Sequence, residues 1–234
     1  MSKKLTICAC SSRTFIHWDD ITRVAVAAER SGWEVSLVPD LCALCQEKDP
    51  AVHEIAKTTV VACHTRAVKS LMAFVDEEQV SLCSIRENPV EQVLEQLGLD
   101  TTRDEAAEAA VKEHLKAMPV KPGEDAWYPT LDKDVCGECG KCFDFCPFGV
   151  YEMVDDRVRV VHPHNCKNNC PACARTCPHS AIIFPKYDRS PINGGVEMQE
   201  KAVQLDSRTA YAEAFRAKLI QRRAGVSLLK KHEE

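Results

Sequence analysis

Eight of the chain's 14 cysteines fall into two spaced runs. Cys136, Cys139, Cys142 and Cys146 form Cys-x2-Cys-x2-Cys-x3-Cys closed by Pro147, and Cys166, Cys170, Cys173 and Cys177 form Cys-x3-Cys-x2-Cys-x3-Cys closed by Pro178. Thiolates are nucleophiles, redox couples and soft metal ligands. Three of them spaced this closely can wrap an inorganic cluster while backbone N–H groups point at its sulfurs and offset the buried negative charge. Each proline ends its loop and turns the chain away. Zinc is the competing guest, but zinc ribbons generally use two separated Cys-x2-Cys pairs rather than two runs of four.

The two runs resemble those of two-cluster bacterial ferredoxins over about 55 residues, where the fourth cysteine of each run serves the other cluster. That resemblance implies two 4Fe–4S clusters. Cys136, Cys139, Cys142 and Cys177 would hold one, and Cys146, Cys166, Cys170 and Cys173 the other. The second run carries one extra residue in Cys166-Lys167-Asn168-Asn169-Cys170, expected to alter the loop without abolishing the site. Around these loops, Tyr151–Val154 and Arg157–Val161 read as a hairpin turning at Asp155-Asp156, and Ala181–Phe184 as a further strand. Phe143, Phe145 and Phe148 are expected to exclude water.

The other six cysteines, Cys8, Cys10, Cys42, Cys45, Cys63 and Cys83, lie in a different pattern. Leu5–Cys8, Val35–Val38, Thr59–Ala62 and Val80–Cys83 are short β-prone runs separated by helical periodicities. One helix starts at Asp19 or Asp20 and stops at Gly32. A second opens at Asp49-Pro50, a third covers Thr65–Val75, and a fourth runs from Asn88-Pro89 to Leu97 before Gly98. Thr102-x-x-Glu105 reads as a capping box for another helix ending before Pro119. Such alternation predicts an α/β domain on a parallel sheet, with the six thiols at the strand C-terminal ends on one edge, where such folds bind ligands. His64 beside Cys63 reads as a surface histidine rather than a ligand.

Within this region Thr6-Ile7-Cys8-Ala9-Cys10, Leu41-Cys42 and Val60-Val61-Ala62-Cys63-His64-Thr65-Arg66 resemble the N-terminal domain of the iron–sulfur flavoprotein component of heterodisulfide reductases. The resemblance implies a third iron–sulfur cluster, with Cys10, Cys42, Cys45 and Cys63 as ligands and Cys8 and Cys83 as alternates. The flavin domain of that family is missing: the chain has 9 glycines and no G-x-G-x-x-G run, so no flavin is expected. A dithiol or a zinc site at the same cysteines stays open.

The full organisation expected is residues 1–118 as the α/β parallel-sheet domain, 119–132 as a proline-marked linker, 133–187 as an α+β ferredoxin-like dicluster domain, and 188–234 as an extension. The extension carries a helix over about 206–223. A net charge of −5 argues against a nucleic-acid partner. No stretch is apolar and long enough to span a membrane. Met1-Ser2-Lys3-Lys4 does not begin a signal peptide, and clustered cysteines suit a reducing, cytoplasmic setting. Residues 1–100 hold 10 basic and 15 acidic side chains, whereas 206–234 hold 7 basic and 4 acidic, which offers two docking surfaces of opposite sign. With no P-loop, nucleophile elbow or zinc-protease motif, the expected function is an electron-transfer subunit of an anaerobic, heterodisulfide-reductase-like oxidoreductase with protein redox partners. The alternatives are an enzyme reducing a disulfide or small substrate at the N-terminal cysteines, and a redox-sensing regulator.

Overall fold

A computed structural model describes residues 3–11, 15–77, 79–118 and 125–196. The expected helix at 206–223 lies outside the described residues. Four strands, β1 (Lys4–Cys8), β2 (Glu34–Val38), β3 (Thr59–Ala62) and β4 (Ser81–Ser84), form an all-parallel sheet in the order β2-β1-β3-β4. Leu5, Thr6, Ile7 and Cys8 are all buried, as expected for a central parallel strand covered on both faces.

One face is covered by α1 (Trp18–Arg30), α5 (Val90–Leu97) and α6 (Glu105–Ala117), the other by α2 (Leu41–Gln46), α3 (Ala51–Ala56) and α4 (Thr65–Phe74). Helix α1 buries Ile21, Val24, Ala25 and Ala28 and ends where Gly32 takes φ +79°, a turn that favours glycine. Its N-cap is His17, not Asp19 or Asp20. Those two carboxylates sit in the first turn instead, where they complement the helix dipole. The cap of α6 also differs from the Thr102 capping box. Asp104 accepts the Ala107 N–H at 3.0 Å, while Thr102 is tied back to Asp100. Helix α2 was not legible as a helix in the sequence. Asp40 caps it, and it carries Cys42 and Cys45 inward.

The second half is built from small pieces: β5 (Thr130–Leu131), α7 (Lys141–Phe145), β6 (Tyr151–Val154), β7 (Arg157–Val160), α8 (Ala172–Thr176) and β8 (Ile182–Ile183). The β6–β7 hairpin turns at Asp155 and Asp156, with φ +50° and +58°, the positive pair a type I′ turn requires. Strands β5 and β8 pair antiparallel. Residues 126–131, read in the sequence as linker, are largely buried: Trp127 stacks on Phe184, while Tyr128 enters the core beneath α2 and α4. Ser70 and Thr130 share a buried 2.7 Å hydrogen bond that joins α4 to β5. No helix among the described residues is long and apolar enough to cross a membrane.

Candidate metal centres

Helices α7 and α8 have five residues each, too short to hold shape without outside support. Their loops supply the thiols of the ferredoxin-like half. Cys136, Cys139, Cys142 and Cys177 line one small cavity, walled by Leu131, Val158 and Ile182. Among the described residues no three Cys, His, Asp or Glu side chains close on one point as a single metal ion requires. Soft thiolates in two runs of four are the donors that iron–sulfur clusters take. The donor set therefore fits an iron–sulfur cluster.

The loop around these thiols is held from several directions. Gly137 lies so close to the His179 ring that a Cβ there would meet Nε2 at 2.5 Å, which packs one cysteine run against the other. Glu138, at φ +47°, accepts the Val158 N–H at 2.8 Å and ties the loop to the hairpin. Ala181 N–H donates to Cys177 Sγ at 3.4 Å. Burial pushes the Cys142 thiol up to about 12, with Cys177 and Cys173 adding repulsion.

Cys146, Cys166, Cys170 and Cys173 are the second neighbourhood. Burial, then repulsion from Cys173, Cys170 and Cys146, raises Cys166 to about 12. Burial also raises Cys173 to about 11, opposed by a hydrogen bond from Tyr151, whose O–H donates to Cys173 Sγ at 3.1 Å. Cys166 and Cys173, both held against ionising, would give up their protons to a bound cationic centre. The extra residue of this run is absorbed at Asn169, which adopts φ +58°, a conformation asparagine tolerates. Phe143, Phe145 and Phe148, expected to exclude water, are 42–47% exposed.

At the C-terminal edge of the parallel sheet, four thiols act on one another in turn, a ring of electrostatic neighbours. Cys8 neighbours Cys10 and Cys42, and Cys63 neighbours the same two. Burial leads in raising Cys8, Cys42 and Cys63, the last to about 11. Leu41 N–H donates to Cys8 Sγ at 3.4 Å, and Cys10 takes φ +49°, a strained setting found at functional positions. Cys45 is raised to about 12 by burial and Asp40, with no thiol acting on it. Cys83 instead donates to Gln96 Oε1 at 3.2 Å. Cys8 therefore groups electrostatically with Cys10, Cys42 and Cys63, and Cys45 lies in the same buried cluster as Cys8 and Cys42.

Two further buried residues adjoin these cysteines, His64 next to Cys63 in the chain and Lys186 beside Cys10. His64, read in the sequence as a surface residue, is buried; its Nδ1 meets Glu87 at 3.3 Å while its Nε2 has no partner among the described residues. Lys186, just past β8, puts its ammonium 2.6 Å from Asp40 and 3.9 Å from Cys10 Sγ. No sequence signal marks Lys186, which sits between Pro185 and Tyr187 in an irregular stretch. Cys166 packs on the same apolar cluster as Cys42 and Tyr128, so the second thiol neighbourhood and the ring share one core.

A thiol-rimmed cavity beside a second thiol group, on paired short strands and single-turn helices, defines an iron–sulfur electron carrier. Residues 128–201 match the 4Fe-4S dicluster domain family. An uncharacterized ferredoxin of Methanocaldococcus jannaschii is 42% identical over 78 residues, 32% of this chain and 53% of that protein. Ferredoxin-3 of Nostoc sp. is 33% identical over 92 residues, 30% of this chain and 89% of its own length. The pyruvate synthase subunit PorD of Methanothermobacter marburgensis is 37% identical over 79 residues, 33% of this chain and 91% of its own. Through this domain the chain belongs to the 4Fe-4S dicluster ferredoxins.

Proposed function

We propose that the chain is the electron-transfer subunit of a multi-subunit oxidoreductase of heterodisulfide-reductase-like, anaerobic type. In this reading Cys136, Cys139, Cys142 and Cys177 hold one 4Fe–4S cluster, and Cys146, Cys166, Cys170 and Cys173 hold another. The single observation that carries it is the cavity at which Cys177 of the second run joins three cysteines of the first. When bound, such clusters supply one-electron chemistry at potentials set by charge, hydrogen bonds and exposure. The protein's part is to supply thiolates, to aim N–H and O–H donors at sulfur, and to bury Cys173 against Tyr151. Similarity to a pyruvate synthase subunit supports membership of a larger assembly.

A third cluster in the α/β half belongs to the same proposal, with Cys8, Cys10, Cys42 and Cys63 as its ligands. Their ring supports it, and so does the shared core that brings Cys166 near. Direct disulfide reduction at these cysteines is disfavoured by their burial, because the attacking species is an accessible thiolate. Iron and sulfide analysis of anaerobically purified protein tests the reading. About eight irons indicate the ferredoxin pair alone and about twelve indicate three cubanes. Cys139→Ala should abolish one ferredoxin signal in electron paramagnetic resonance (EPR), Cys42→Ala the third, and Cys45→Ala none. Anaerobic co-purification of partner subunits tests the assembly, and a catalytically complete monomer would overturn it.

A further inference from the structure

Lys186 is 3% exposed. Nothing in an apolar interior holds an ammonium except a compensating charge, and here Asp40 lies at 2.6 Å and Cys10 Sγ at 3.9 Å. Asp40 caps α2, the helix that carries Cys42. The pair therefore fixes the ammonium against two sides of the thiol ring, Cys10 directly and Cys42 through the helix cap. On the Cys63 side a cation from the α/β half, Arg86, acts on the ring. On the Cys10–Cys42 side the cation comes from the ferredoxin half of the chain.

We infer that Lys186 is a positioning residue that sets the reduction potential of the group held by Cys8, Cys10, Cys42 and Cys63, so that the ferredoxin half completes the redox site of the α/β half. This inference rests on the third-cluster reading. The step concerned is a one-electron transfer: one reduced centre gives up one electron, the ring's centre gains it, and no bond is made and no proton moves. Four thiolates and Asp40 already place negative charge in a space from which water is largely absent. An added electron makes that charge larger, and an ammonium at contact distance favours the reduced state because the interaction is weakly screened there. Asp40 acts in the opposite sense, so the two side chains have opposite expected effects.

The full-length chain, purified anaerobically with Lys186→Met, Lys186→Arg, Asp40→Asn and the Met/Asn double variant, tests this. Iron is counted in each, and redox titrations are followed by EPR. The wild type is expected to give about twelve irons and three signals. Lys186→Met should make reduction of the third centre at least tenfold less favourable, a shift of about 59 mV to lower potential for one electron. Lys186→Arg should retain the wild-type value, Asp40→Asn should shift it upward, and the double variant should return towards it. The ferredoxin signals should not move. Loss of about four irons from Lys186→Met overturns the inference in favour of a purely structural role. A third signal unmoved in Lys186→Met overturns the inference and leaves the third cluster standing. About eight irons in the wild type overturn both. Equal shifts of all three signals also overturn it, because they indicate a general loosening of the chain.

Discussion

At the residue scale, donors aimed at sulfur are the protein's means of tuning a bound centre. Tyr151 is the clearest case: its ring is buried, and its hydroxyl donates to Cys173 Sγ at 3.1 Å. Tyr151→Phe keeps the ring in the core and removes that donor. One hydrogen bond to a charged acceptor is worth about 1.5–3 kcal/mol, so the nearby centre's potential should fall by roughly 60 mV or more. Redox titration checks the shift, and the centre near Cys139 should not follow it. The thiols also carry a pH prediction. Cys142 and Cys166 rise from 9.0 to about 12 on folding without iron. The iron-free folded chain therefore keeps protons that the unfolded chain gives up above pH 9. Its stability from these groups is complete below about pH 9 and is lost as pH climbs towards 12. Iron-bound thiolates have no such proton to lose. Urea midpoints of the iron-free protein should fall between pH 8 and 9.5 while those of the loaded protein stay level, and parallel curves would contradict this.

At the element scale, α4 is the docking helix. Arg66 Nε meets Asp132 at 2.5 Å and its other arm meets the Ser180 carbonyl at 2.5 Å, spanning the start of the first cysteine run and the end of the second. Lys69 reaches Asp134 at 2.6 Å, but that pair is largely exposed and contributes little. Arg66→Met should destabilise the loaded protein by about 2 kcal/mol, because Asp132 is left half-buried without its cation. Urea unfolding followed by cluster absorbance reads the change, and Lys69→Met should produce a much smaller one. These elements also show what was legible in the sequence. The parallel strands and the Asp155-Asp156 hairpin announce themselves through period and turn chemistry. The cysteine runs announce themselves through spacing. Helix α2 did not, because six residues give too few turns for periodicity to register. The electrostatic grouping was not legible either: Cys42 and Cys45 lie three apart on one short helix, yet other thiols act on Cys42 and none on Cys45. Lys186 was invisible because its role depends on a contact 146 residues away along the chain.

At the scale of the whole molecule, the two halves share an interior. Tyr128 lies in the core beneath α2 and α4, donates to the Cys42 carbonyl at 2.9 Å and packs against Phe74. Lys186 enters from the opposite end of the ferredoxin half to meet Asp40. Cutting the chain between the halves would open the apolar site that holds Tyr128 and leave Asp40 without its ammonium, so neither half keeps its packing alone. Cooperative unfolding follows from that shared core. Heating the loaded protein under anaerobic conditions should therefore give one transition, with visible cluster absorbance and far-ultraviolet circular dichroism losing signal at the same temperature. Tyr128→Ala should lower both midpoints together, because it removes a buried ring from the interior the halves have in common. Two separated transitions in the wild type would mean that the ferredoxin half folds as an independent unit. The electron route proposed from Cys166 towards the thiol ring would then lack the rigid contact on which it would depend.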